Sequence, residues 1–180
     1  MNIMLDLETM GKGPDAAIVA IGAVEFDLEN GELGREFYRR VCMESAVADG
    51  GVIDPNVVIW WMRQSDEARA EISGDAPVIS DVLIEFRAWL DSIGQNLYIW
   101  GNGSDFDNVI LRQAYRRANM DVPWAYWNNR CYRTAVSPML SSIKINTAET
   151  LGTKHNALDD AKKQAQHLIK VYMPRVDSGT

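Results

Sequence analysis

Residues 3 to 8 of the chain alternate. Ile3, Leu5 and Leu7 are apolar, and Met4, Asp6 and Glu8 fall between them, which is the period of a β-strand. Successive strand side chains point to opposite faces, so Asp6 and Glu8 emerge on the same side. The strand is otherwise apolar, which places it inside a sheet. Two adjacent carboxylates there repel each other and resist desolvation. A hard divalent cation, Mg²⁺ or Mn²⁺, is the usual way to neutralise such a pair. An edge strand with two solvated acids is the competing reading of this segment on its own.

The same patterning predicts the elements that follow. A glycine-punctuated loop, Met10 to Pro14, leads into a second, mostly apolar strand over Ile18 to Phe26. Asn30-Gly31-Glu32 signals a turn, and Arg35 to Cys42 completes a three-stranded meander. Asp54 and Pro55 open a helix as N-cap and first helical residue, running to Met62. A short helix follows Ser65-Asp66-Glu67, and an amphipathic one spans Val78 to Ile93. Leu97 to Trp100 is a short strand ending at Gly101, Phe106 to Asn119 a helix, and Cys131 to Ala135 a candidate strand. The last helix runs from Ala157 to Tyr172, with Leu158, Ala161, Ala165, Leu168 and Tyr172 at helical spacing. A meander followed by helices alternating with two strands predicts an α/β domain with a mixed five-stranded sheet flanked by helices. No linker or repeat divides it, so residues 1–176 form one domain and 177–180 a frayed tail.

Composition narrows the setting. With 180 residues, 47% hydrophobic and 24% charged, the chain suits a soluble globular domain. No apolar run approaches the roughly 18 residues of a membrane span, and the first strand begins directly after Met1, leaving no room for a signal peptide. Cys42 and Cys131 make no metal-binding spacing and read as reduced thiols. A cytoplasmic protein with no membrane partner is therefore expected. The net charge of −7 argues against coating long duplexes through a basic surface, but not against gripping a single end.

Further acids fall where α/β sheets collect ligands, at strand ends and adjacent helix starts. Gly101-Asn102-Gly103-Ser104-Asp105-Phe106-Asp107-Asn108 follows a strand and opens a helix, and His155-Asn156-Ala157-Leu158-Asp159-Asp160 opens the last helix. Three motifs, in this order, carry a resemblance. Asp6-Leu7-Glu8-Thr9, the pair Phe106-Asp107, and His155 followed five residues later by Asp160 resemble the DEDD 3′–5′ exonucleases of the histidine (DEDDh) subclass. Glu8-Thr9-Met10-Gly11, the Trp60-Trp61 pair with Gln64-Ser65-Asp66-Glu67, and Trp100-Gly101-Asn102-Gly103 look closest to a phage and bacterial branch that is exoribonuclease-like or exodeoxyribonuclease-VIII-like.

The resemblance covers almost the whole chain and implies a ribonuclease-H-like fold. It assigns Asp6, Glu8, Asp107 and Asp160 as ligands of two divalent cations, Mg²⁺ or Mn²⁺, and His155 as general base. The family's acid directly follows the phenylalanine, selecting Asp107 over Asp105, and the five-residue step from His155 selects Asp160 over Asp159. With Asn156 as N-cap, Asp159 occupies the third helical position and suits the helix dipole. The implied reaction releases nucleoside 5′-monophosphates from 3′ ends, and the implied assembly is a homodimer. Two cations about 4 Å apart stabilise the attacking and leaving oxygens, while an imidazole takes a proton from water at neutral pH.

Weaker signals surround this set. Trp60 and Trp61 point about 100° apart on a helix, so either both pack in the core or one of them stacks on a nucleobase, with Trp61 a candidate substrate contact. Thr9, Met10 and Gly11 follow the acids and are placed to meet the terminal nucleotide; Asn102 is placed to bond substrate or to cap its turn. Arg112 and Arg116 share a helix face, and Lys144 and Lys154 flank the loop before His155, all as candidate phosphate contacts or solvated charges. Few basic residues near the site favour single-stranded ends, and no residue pattern reads a 2′-hydroxyl, so DNA and RNA both stand. A silent binding module of the same fold predicts a broken acid set; all five positions are intact. A structural Ca²⁺ domain leaves His155 and the dispersal of the acids unexplained.

Overall fold

In the computed structural model, which describes residues 1–137 and 155–173, the alternating opening segment is the middle strand of a five-stranded mixed sheet. The strands are β1 (Asn2–Thr9), β2 (Ile18–Phe26), β3 (Leu33–Arg40), β4 (Tyr98–Gly101) and β5 (Asn129–Cys131), in the order β3-β2-β1-β4-β5. The first three pair antiparallel; β4 joins β1 in parallel and β5 joins β4 in parallel. Helices are α1 (Met43–Ala48), α2 (Pro55–Met62), α3 (Asp66–Glu71), α4 (Ile79–Ile93), α5 (Asp107–Arg117), α6 (Tyr132–Ala135) and α7 (Ala157–Tyr172). None among the described residues is long and apolar enough to cross a membrane.

The alternation in β1 divides two cores. Ile3, Leu5 and Leu7 face one side, where they meet Val57 and Trp61 of α2, Phe86 of α4 and Ile110 of α5. Met4 faces the other, packing with Phe26, Trp100 and the Ala161, Ala165 and Leu168 row of α7. Alanines on α7 let the helix lie close to the sheet, and Gly22 lets it lie closer still. Gly22 pairs with Asp6, and a Cβ on Gly22 would overlap the backbone of Ala157 and Leu158. The bare glycine therefore seats the first turn of α7 beside Asp6.

Several boundaries differ from those the pattern predicts. The third strand is Leu33–Arg40, two residues earlier than expected. The candidate strand at Cys131 to Ala135 is a single helical turn, because Cys131 Sγ accepts from the Thr134 N–H and caps it; the strand is Asn129–Cys131. Val78 and Phe106 are the N-caps of their helices, and α5 stops at Arg117, two residues before Asn119 turns left-handed at φ 54°. Tyr172 is exposed, and Ala157, Gln164 and Ile169 take buried places on α7 that the helical spacing does not assign. The helix α1 is not signalled at all, since no side chain caps it. Lys144, Lys154 and the tail 177–180 lie outside the described residues.

Replacing Gly22 by alanine is expected to cost about 1–3 kcal/mol by overpacking, read as a lower urea midpoint. Gly13→Ala, where an added Cβ meets nothing within 4 Å, is the matched control and leaves the midpoint in place.

Candidate active site

β1 delivers two acids to one edge of the sheet. Asp6 and Glu8 share the face that α7 covers, and a bulge between Glu8 and Thr9 interrupts pairing with β2 at that point. Asp107 arrives from the start of α5 and is only 1% exposed. Its Oδ1 accepts from the Leu7 N–H at 3.1 Å and its Oδ2 from the Asn102 N–H at 2.7 Å. Gly101 makes room for this: a Cβ there would stand 3.1 Å from the Asp107 Cβ and overlap the Asn108 amide oxygen. Asn108 in turn donates to the Ile99 carbonyl at 2.8 Å, tying the start of α5 to β4.

Asp160 comes from the first turn of α7. Asn156 caps that turn, its Oδ1 accepting from the Leu158 and Asp159 N–H groups. Asp160 Oδ2 accepts the His155 N–H at 3.2 Å, and Lys163 Nζ donates to its Oδ1 at 2.8 Å. His155 has φ 63°, the left-handed region that non-glycine residues seldom occupy. Its ring lies edge-to-face on Trp60, centroids 4.8 Å apart, and 6.0 Å from Trp61. Ligand atoms of Glu8, His155 and Asp160 all lie within 4.8 Å of one another. The five residues selected by the motifs are thus brought together from β1, α5 and the entry to α7.

Crowding dominates the electrostatics. Burial pushes Asp6 well above the usual carboxylate range, Asp107 and Glu8 push it further, and only a hydrogen bond from Gln164 opposes them. Burial first, then Asp160, Asp107 and Glu71, raise Glu8 to about 8. Burial also raises Asp107, to about 6, against the backbone N–H groups and Arg133 that favour its charge. Acids this reluctant to ionise lack positive charge. A set of carboxylate oxygens with one imidazole and no thiolate fits hard divalent cations of the Mg²⁺ or Mn²⁺ kind.

Among the described residues, two hollows flank the acids and meet at Leu7 and Phe106. One, about 310 Å³, is lined by Asp6, Asn102, Asp105, Asp107 and Arg133. The other, about 620 Å³, runs from Glu8, Thr9 and Gly11 to Ile59, Trp60 and Trp61. Trp60, 42% exposed, presents its ring here, whereas Trp61 is 2% exposed and donates through Nε1 to the Thr9 carbonyl at 3.0 Å. Trp61 is therefore a wall and an anchor for the end of β1, and the ring free to stack is that of Trp60.

Met10 is likewise corrected, since its side chain packs in the core. The Thr9 hydroxyl is taken up by the Gly11 carbonyl at 2.7 Å. Arg112 lines neither hollow. Asn102 lines the smaller hollow and holds Asp107 through its backbone N–H. Three contributors have no motif. Gln164 donates to Asp6 Oδ1 at 2.7 Å and Lys163 pairs with Asp160; their signal is a position three or four residues past Asp160 on α7. Arg133 has none, because its helical turn reads as strand.

With this geometry in place, the domain family described as the 3′–5′ exoribonuclease Rv2179c-like domain matches residues 1–172. The chain belongs to that family. An exodeoxyribonuclease of Enterobacteria phage T4 is 26% identical over 164 residues, covering 77% of this chain and 72% of the phage protein. The nuclease domain of 3′hExo, a DEDDh family member solved with rAMP, aligns with a TM-score of 0.59 at 15% identity, over 93% of this chain and 89% of that one. The E. coli ExoI–ssDNA complex in its zinc-bound form aligns with a TM-score of 0.63 at 18% identity, over 97% of this chain and 41% of that one. The mixed sheet and flanking helices share the ribonuclease-H-like fold of these exonuclease structures, and the family to which the chain belongs is one of 3′–5′ exoribonuclease domains.

Because Glu8 holds its proton more tightly in the folded protein than at its ordinary value of 4.5, its contribution to metal-free stability is full below that pH and is lost as pH rises through about 8. The loss is at most about 5 kcal/mol at 1.36 kcal/mol per pK unit. Thermal melts in EDTA across this range should show a falling midpoint, shallower in Glu8→Gln. Added Mn²⁺ should oppose the fall, since it binds the ionised acids.

Proposed function

We propose that this chain is a two-cation 3′–5′ exonuclease, removing nucleoside 5′-monophosphates from single-stranded 3′ ends of DNA or RNA. The observation that carries the reading is the convergence of Asp6, Glu8, Asp107 and Asp160 with His155 at one edge of the sheet. Asp6, Glu8, Asp107 and Asp160 would hold Mg²⁺ or Mn²⁺. Bound there, such cations activate water and take up the charge that grows on the phosphoryl oxygens. His155, standing beside Glu8 and Asp160, accepts the proton of the attacking water. Its edge-to-face contact with Trp60 fixes the ring over the acids. Gln164 and the N–H groups of Leu7 and Asn102 orient Asp6 and Asp107. The larger, aromatic hollow receives the terminal base, with Trp60 as a platform indifferent to base identity.

The test uses 5′-labelled single-stranded DNA and RNA of one sequence, with Mn²⁺ and with EDTA. A metal-dependent ladder shortening from the 3′ end is expected, and the faster substrate names the polymer. Asp6→Ala and Asp160→Ala abolish it while keeping a metal-free melting midpoint at or above that of the parent, because one repelling acid is gone. His155→Ala loses about 10²- to 10⁴-fold in rate. Near-native cleavage by either aspartate variant would overturn the assignment of the acids.

A further inference from the structure

Arg133 stands outside every motif in the chain, yet it faces the reacting acids. It lies two residues past the end of β5, in the short helix α6, because Cys131 pairs with Gly101 and caps the turn that follows. This brings Arg133 to the lining of the smaller hollow, which it shares with Asp6, Asn102, Asp105 and Asp107. Among the described residues Arg133 makes no ion pair, although its charge is felt by Asp107. Nearby Arg130 is used otherwise, donating to the Trp127 and Asn129 carbonyls and covering the Tyr98 ring at 4.3 Å. Arg112 lines neither hollow.

The two hollows differ in what they can hold. The larger offers the apolar and aromatic surfaces of Ile59, Trp60 and Trp61 together with Lys12 and Arg63, and its inner wall is closed by the Trp61–Thr9 hydrogen bond, which suits the last nucleotide of a chain. The smaller carries Arg133 and Asn102 beside Asp6, Asp105 and Asp107; once cations are held by Asp6 and Asp107, its arginine suits an anion. A phosphodiester over Asp6 and Glu8, where the hollows meet, has its terminal nucleotide on the Trp60 side. The preceding nucleotide then enters the smaller hollow, and the phosphate on that nucleotide's 5′ oxygen reaches Arg133.

We propose that Arg133 binds this upstream phosphate, one nucleotide before the scissile bond, and so makes the site prefer an oligonucleotide over a diester that lacks a second phosphate. The inference rests on the exonuclease reading above for the polarity of the strand. Arg133 is a binding and positioning residue; it moves no proton.

The experiment compares two dinucleotides, pdTdT and dTdT, which differ only in the 5′-phosphate. Turnover is measured in Mn²⁺ and affinity by calorimetry in Ca²⁺, for the parent, Arg133→Gln and Arg133→Lys. The parent is expected to favour pdTdT by about 10- to 100-fold in kcat/KM and in affinity, the size of a charge-assisted hydrogen bond. Arg133→Gln collapses that ratio to near unity at an unchanged melting midpoint. Arg133→Lys keeps part of it, as a point charge without the guanidinium fork. An equal ratio in parent and Arg133→Gln, or no preference in the parent, overturns the proposal. A preference in affinity that Arg133→Gln removes, with cleavage of neither dinucleotide, sustains the phosphate site while sinking the exonuclease reading.

Discussion

The mutual repulsion of the carboxylates at the end of β1 is the constraint around which the rest of the structure is arranged. Burial pushes Asp6, Glu8 and Asp107 toward their neutral forms, and neighbouring acids add to this for Asp6 and Glu8. Solvent would relieve this by separating them, so the fold must hold them against it. It does so with rigid, apolar elements: β1 is the middle strand of the sheet and is buried on both faces by side chains that have no alternative place. Hydrophobic burial is non-directional but large, and here it is what keeps a locally unfavourable cluster assembled. Gly22 and Gly101 contribute through what they lack, each allowing a helix start to approach a strand closely enough for its acid to join the cluster.

The polar supports are placed with economy. Asp107, the most buried acid, receives two backbone N–H groups, which solvate its charge without adding a titratable partner. Asp6 receives an amide from Gln164 rather than a cation. Asp160, nearer solvent, carries the lysine. On the other side, Trp61 anchors the strand end while Trp60 bears the imidazole of His155. The adjacent pair does both because neighbours on a helix point in different directions: one ring enters the core and the next faces the hollow.

The parts readable in the sequence are those with a strong local pattern. β2, α2 and α7 have the bounds expected of them, since their apolar periods and caps (Asp54 with Pro55, and Asn156) are local signals. The five clustered residues were legible because their chemistry ties each to a motif. What was not legible depends on tertiary context. The turn at Tyr132 forms because a cysteine sulfur caps it and its apolar residues pack with the Trp100 core, so its β-compatible residues mislead. Trp60 and Trp61 cannot be told apart without knowing which side of α2 meets β1. Met10 reads as a side chain for the site only until the loop folds its ring of contacts inward.

The distribution of charge bears on how an acidic chain could serve the polyanion that the proposed function requires. With a net charge of −7, the protein has no field that would draw nucleic acid from a distance, and the attraction must be local. On the proposed two-cation reading, four carboxylates and two divalent cations sum to zero, and the cationic side chains lining the hollows then set the sign: Arg133 in the smaller, Lys12 and Arg63 in the larger. Lys163 is committed to Asp160, and Arg130 to carbonyls and an aromatic ring. In the smaller hollow Arg133 remains. Metal occupancy and these few cations would then determine together whether a strand end is held or repelled, which would tie binding to the ions that the proposed chemistry requires.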